Sequence, residues 1–274
     1  MRLLLLLMAL VLALPAGRAP ADNGCPPLMI PDGLSAGVDF LLVGEPHGTV
    51  EAPALVGDLA CALSAQSRPL LIGVEHPANS QAALDAWMAS DGGPQAEAAL
   101  LAAPAWLRRD GRSSAAMLDL VRRVRVLKAS GRDVALVAFD HEIPQPGTSI
   151  EREARMAALL IEARADRPDA LVVALTGAGH ADRTAFTSTT PPAPSMIRNL
   201  PTDRARSLAF VRLGGEAWGC RGQPADCSIQ PLTARDRTTP RGIVPGAGRE
   251  GFDGVVSIGA PFTASTWAAD AAGG

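Results

Sequence analysis

The sequence contains no tyrosine, and Lys128 is its only lysine. The first absence excludes tyrosine chemistry, and the second leaves a Schiff-base mechanism with a single candidate amine. No basic patch occurs along the chain, which argues against nucleic acid as a partner. Several catalytic signatures are also missing. There is no C-x-x-C pair for redox or zinc work, no G-x-S-x-G elbow, no Walker A segment and no H-E-x-x-H. Gly246-Ala247-Gly248-Arg249-Glu250-Gly251 matches G-x-G-x-x-G. It precedes a strand pattern and follows none, so its context is wrong for a dinucleotide loop.

What is present begins with Arg2, an apolar run from Leu3 to Leu14, and small residues up to Ala19-Pro20-Ala21. That order is the pattern of a secretory signal peptide, and the run is too short to span a bilayer as a helix. The expectation is a signal peptide over residues 1–21 and a single domain over residues 22–274, periplasmic or secreted. No second apolar run reaches membrane-spanning length, so no membrane association is expected after cleavage. Loss of Arg2 and Arg18 would take the formal charge from −3 to −5. Four cysteines fit an oxidising compartment. Cys220 and Cys227 bracket a short loop that a disulfide would close, and Cys25 and Cys61 are left to pair by elimination.

Six short apolar runs read as buried strands: Val38–Val43, Leu70–Val74, Val134–Phe139, Ala170–Leu175, Leu208–Arg212 and Val255–Ile258. Helical spacing lies between the first four. Leu55, Leu59, Ala62 and Leu63 form one apolar face. Met117, Leu120, Val121, Val124 and Leu127 form another, stopped by Gly131. Thr148-Ser149-Ile150-Glu151 is a capping box opening a third helix, with Met156, Leu159, Leu160 and Ala163 inward. This alternation predicts an α/β fold with a central, mostly parallel mixed sheet and helices on both faces. Thr187–Pro194 and Pro231–Gly251 read as loops, and the first could cover a site.

In such sheets, sites form where strands end. The first strand runs into Gly44-Glu45-Pro46-His47-Gly48-Thr49-Val50-Glu51, and the second into Glu75-His76-Pro77. The third runs into Asp140-His141-Glu142, and the fourth into Gly177-Ala178-Gly179-His180. All four histidines of the chain lie in these junctions. A carboxylate at a buried strand end is costly unless it is paired or bound to a cation. The candidate catalytic residues are therefore His47, Glu45 and His180, and the candidate metal ligands are His47, Glu75, Asp140 and His180. Gly44, Gly48 and Gly177, with Arg112 and Glu51, are expected around the pocket. The flanking glycines permit close backbone approach to a ligand. Thr49 is placed to cap the following helix, which leaves Glu51 either a helix-dipole partner or a site residue. His76 and His141 follow acidic residues by one position, so alternation points them away from the site. Trp106 reads as core.

The paired motifs Gly44-Glu45-Pro46-His47 and Gly177-Ala178-Gly179-His180 resemble those of the superfamily of erythromycin esterases, Tiki/TraB proteins and ChaN-like haem-uptake proteins. The likeness extends through Ile72–Pro77, Asp110–Ser114, Ala138-Phe139-Asp140 and Phe252–Val256. It implies a mixed α/β fold with a site at one edge of the sheet. Erythromycin esterases are lactone hydrolases in which a histidine activates water, and Tiki-type members are described as metal-dependent peptidases. By this resemblance His47 is a base or a metal ligand, Glu45 and Glu75 orient it or bind the ion, and His180 completes the site.

Three readings follow. One is a hydrolase of ester or amide bonds acting on a small molecule or peptide, with Zn, Mn or Co if a metal is used. The second is a haem- or metal-binding protein without turnover, where the lack of tyrosine restricts haem ligands to His or Met. The third is a structural protein with a degenerate site. The sequence does not set the oligomeric state.

Overall fold

A computed structural model describes residues 25–66, 68–141, 149–185, 192–221, 226–246 and 249–271. The signal-peptide reading falls outside these residues, as do Thr148 of the capping box and most of the Thr187–Pro194 loop.

The chain runs β1 (Phe40–Glu45), α1 (Glu51–Ser64), β2 (Leu70–Pro77), α2 (Gln81–Ala89), α3 (Pro94–Leu101), α4 (Pro104–Leu107), α5 (Ala115–Ala129) and β3 (Val134–Asp140). It continues with α6 (Ser149–Ala165), β4 (Leu171–Gly177), α7 (Ala178–Ala181), β5 (Ala205–Phe210), β6 (Gly215–Arg221) and β7 (Asp226–Leu232). It closes with β8 (Gly242–Pro245), β9 (Gly254–Ser257) and α8 (Ala268–Ala271). Seven strands form one sheet in the order β3-β2-β4-β1-β5-β9-β8, parallel throughout except for the β8–β9 edge pair. The mixed, mostly parallel sheet is the one the sequence predicts.

Alternation along each strand divides the core. Leu41 and Val43 of β1, Ile72 and Val74 of β2, and Val173 and Leu175 of β4 enter one apolar cluster, packed on α1 and α5. Phe40, Leu42, Val172 and Ala174 enter the other, with Met156 and Leu160 of α6. Both faces are covered, which is why these strands read as continuous apolar runs.

The first four strands, β1 to β4, end later than the hydrophobic pattern predicts, whereas β5 and β9 end earlier, and the shift in the first four moves the chemistry. β1 extends through Gly44 and Glu45, which pair with Thr176 and Gly177 of β4. β2 extends through Glu75 and His76 to Pro77. The acidic residues are therefore part of the sheet's end rather than of loops beyond it. Polar residues at a strand end break the apolar pattern before they break the ladder.

Two other expectations are corrected. Val50, not Thr49, precedes α1, without a side-chain cap. The Thr49 hydroxyl instead donates to the Pro46 carbonyl. The stretch from Pro231 to Gly251 holds a strand, β8, despite its turn-rich composition; β8 lies at the sheet edge, where Pro245 is tolerated. The segment around Cys220 and Cys227 is a two-stranded antiparallel hairpin, β6–β7, with the two cysteines directly opposite each other.

Both expected disulfides are present, Cys25–Cys61 and Cys220–Cys227. Among the described residues no helix is long and apolar enough to cross a membrane. The disulfides close chain segments of 36 and 7 residues. Loop-closure entropy then assigns about 4 kcal/mol to the first and about 2.5 kcal/mol to the second. Denaturant unfolding of Cys25→Ser/Cys61→Ser and Cys220→Ser/Cys227→Ser proteins should show the larger loss in the first. Equal losses would mean that native contacts, not chain entropy, set their value.

Candidate active site

The order β3-β2-β4-β1 puts the carboxyl ends of four successive neighbours side by side. Asp140, Glu75, Gly177 and Glu45 end those strands or stand close to their ends. They underlie a cleft of about 940 Å³.

Glu75 is the centre of the site and is 3 % exposed. Its Oε2 accepts from Thr176 Oγ1 and from the Gly177 backbone N–H, each at 2.8 Å. Its Oε1 accepts from Arg152 Nη2 at 3.1 Å and Arg112 Nη1 at 3.4 Å. Asp140 shares the same two guanidiniums: Oδ2 lies 3.0 Å from Arg112 Nη1, and Oδ1 lies 2.8 Å from Arg152 Nε. Asp110 takes the other two Arg112 nitrogens, Nη2 at 2.6 Å and Nε at 3.3 Å. Two arginines thus bridge two buried carboxylates, the compensation that burial of charge requires.

Two histidine–glutamate pairs flank this centre. His47 Nδ1 lies 2.8 Å from Glu45 Oε1, and its Nε2 lies 3.5 Å from Glu75 Oε2. An ionised carboxylate only accepts, so Nδ1 of His47 carries a proton toward Glu45. His180 Nδ1 lies 2.9 Å from Glu153 Oε2, and its Nε2 lies 3.1 Å from Arg152 Nη1. A guanidinium only donates, so Nε2 of His180 accepts and its Nδ1–H points to Glu153. Glu153 also accepts the Met196 N–H at 2.7 Å, which fixes the carboxylate.

The electrostatics separate these groups. Burial opposes the charge of Glu75, but His47 and Arg112 outweigh it and hold the carboxyl well below 4.5. Burial raises Glu45 despite its bond to His47. Burial, with the neighbouring Glu75 charge, also raises Asp140 against the pull of Arg152. For His47, burial works downward, but the Glu75 and Glu45 carboxylates overcome it and push the imidazole up to about 10. Burial takes His76 the other way, to about 4.

His47, Glu75, Arg112, Asp140, Arg152 and His180 line the cleft, and hairpin β6–β7 adds to the lining through Ala217, Trp218, Cys220, Arg221, Gln230 and Leu232. The hairpin is fastened beside His47 and Arg112. The Trp218 backbone N–H donates to the Gly48 carbonyl, and its indole N–H donates to the Arg109 carbonyl. Gly48 is required there: its φ is +77°, and a Cβ would lie 2.0 Å from the Trp218 carbonyl oxygen.

The structure brings His47, Glu45, Glu75, Asp140, His180 and Arg112 together. It does not bring Glu51, whose carboxylate accepts the Thr263 N–H at the start of α1, away from the cleft. Gly44, Gly48 and Gly177 do not line the cleft either. Gly44 packs inside the sheet end against Ala178, and Gly177 makes room for His47, whose Nε2 would lie 3.0 Å from a Cβ there. The Gly177 N–H is already used by Glu75, so it is no free donor. His141 lines the cleft, contrary to the alternation argument, because β3 ends at Asp140 and the strand period no longer governs it. His76 faces away as expected but is buried, not at the surface. Trp106 is core, as expected.

Arg152 and Glu153 escape a reading confined to strand ends, since both come from α6. The signal was a charge on an apolar face. Arg152 precedes Met156 by four residues, and Glu153 precedes it by three. Among the described residues, no three His, Cys, Asp or Glu side chains converge as a metal-ligand set.

A mostly parallel sheet with this topology, carrying its cleft across the strand ends, is an erythromycin-esterase-like fold. The erythromycin esterase EreC, solved as a histidine-to-asparagine mutant in its open conformation, superposes with a TM-score of 0.63 at 13 % identity, over 85 % of this chain and 92 % of its own. A Bacillus cereus protein superposes with a TM-score of 0.55 at 11 % identity, over 86 % of this chain and 91 % of its own. No protein-family model and no curated protein sequence matches the chain.

With only four histidines, imidazole titration by NMR checks the electrostatics directly. His76 should remain neutral down to about pH 4, and His47 should keep its charge up to about pH 10. Because the pKa of His47 is raised in the folded state, its charge contributes stability that is complete below pH 6.5 and is lost between there and about pH 10. His47→Gln should therefore flatten stability across that window. An unchanged slope would mean that other groups set it.

Proposed function

We propose that the chain is an exported hydrolase of ester or amide bonds, acting on a small molecule or peptide, with His47 as the base that activates water. The observation that carries this reading is the His47–Glu45 pair. The buried carboxylate holds Nδ1–H, which leaves Nε2 as the proton-exchanging atom beside the cleft. Arg112 and Arg152 present fixed positive charge beside the same space, suited to a developing oxyanion. His180, itself held by Glu153, accepts from Arg152. The two disulfides support an oxidising compartment.

The Tiki/TraB and ChaN-like branches of the resemblance would add Zn, Mn, Co or haem. The donor set does not suit a divalent ion. The lone pairs of Glu75 and Asp140 that would bind one already accept from two guanidiniums, a hydroxyl and a backbone N–H. Nor does it suit haem, since His180 has both ring nitrogens engaged and His47 is held by a carboxylate on each side. The reaction is therefore assigned to the chain's own residues.

The test is a screen of ester and amide substrates followed by kinetics. His47→Ala should lower kcat/KM by roughly 10²- to 10⁴-fold, as expected for loss of a general base. The neutral form of His47 is the active one, so kcat/KM should climb with pH and level off near the raised pKa of about 10. A rate that falls over this range would instead make imidazolium the working form and remove His47 as base. Activity should survive exhaustive chelation; a rate that vanishes and returns only with added Zn, Mn or Co would overturn the metal-free assignment.

A further inference from the structure

Glu75 and His76 are consecutive residues on β2, and both contact Arg112. Glu75 takes one end: its Oε1 accepts from the guanidinium at 3.4 Å. His76 takes the other: its Nε2 lies 2.9 Å from the Arg112 carbonyl oxygen. Because a carbonyl only accepts, Nε2 of His76 carries the proton. We propose that His76 is a positioning residue, which fixes the Arg112 guanidinium in the cleft by anchoring the Arg112 backbone.

The geometry around His76 supports a specific task. The residue is 1 % exposed and meets Trp106 edge-to-face, with ring centroids 4.9 Å apart and planes at 84°. Its other nitrogen, Nδ1, is buried without a hydrogen-bond partner. Burying that nitrogen costs desolvation that an apolar ring of the same shape would not incur. What the imidazole does there, and a phenyl ring would not, is donate to Arg112. The group it holds needs holding: Arg112 lies in a single 3-10 turn, Gly111–Ser113, outside the sheet and any long helix. Asp110 supplies only local support, through the Arg112 N–H at 3.0 Å and its guanidinium. β2 is a central strand, paired with β3 and β4 up to Val74 and again with β3 at Pro77, so His76 sits between two points fixed by the sheet and gives the turn a reference.

The inference rests on the hydrolase reading only for its kinetic half. The experiment compares the parent with His76→Phe, which keeps the ring against Trp106 and removes the donor, and His76→Gln, which restores one. His76→Met serves as the donor-free variant if the phenylalanine protein does not fold. The direct readout is the Arg112 Nε–H resonance and its exchange protection, which depend on the contact with Asp110. Protection should fall in the donor-free variant and recover with glutamine. kcat should drop roughly ten- to a hundredfold in the donor-free variant, with KM changing less, as for a misplaced site group. A folded donor-free variant with the parent's Arg112 signal, protection and kcat would overturn the proposal. If the parent itself hydrolyses nothing in the screen, the functional reading fails, while the Arg112 signal still decides the role of His76.

Discussion

The site depends on one buried carboxylate. Glu75 lies at the end of a central strand, almost out of contact with water, and stays ionised because four donors and a nearby imidazole surround it. An unpaired charge in that place would be unaffordable. Each feature around it answers that demand. Thr176 and Gly177 come from the adjacent strand. Arg112 comes from a turn and Arg152 from a helix. The two arginines reach far enough to serve Asp140 as well, so a single set of cations supports both acidic strand ends.

That arrangement also divides labour between the two histidines. His47 is drawn toward the charged form by carboxylates on both sides, whereas His180 has its Nε2 lone pair occupied by a guanidinium. Two otherwise similar His–Glu pairs thereby present opposite faces to the cleft: one a proton that can leave Nε2, the other an acceptor already in use. Hairpin β6–β7, tied to Gly48 and Arg109, encloses the space between these groups and the solvent.

Much of the architecture was legible in the chain. Apolar runs of strand length, alternating with helical spacing, predicted the parallel sheet and its covered faces. The placement of every histidine at a strand end pointed to the cleft; His47, Glu75, Asp140 and His180 do line it, with Glu45 buried behind His47. What failed did so for identifiable reasons. Glu51 reads equally well as a site residue or as the first acid of a helix, and Thr263, two hundred residues later, decides for the helix. Strand β8 was concealed by Pro and Gly that an edge strand tolerates. His141 broke the alternation because the strand stops one residue before it.

The sequence by itself determined which residues are polar at buried strand ends, since that follows from local pattern and the cost of burying charge. It also determined the fold class and the availability of four cysteines for two bridges. Only the tertiary structure decided that Glu75 and Asp140 are bridged by Arg112 and Arg152. That pairing joins a strand, a turn and a helix through the order in which strands sit in the sheet, and strand order leaves no trace in local hydrophobic periodicity. Tertiary structure likewise turned His76 inward onto Arg112, because a hydrogen bond between a strand and a remote turn depends on where both come to rest.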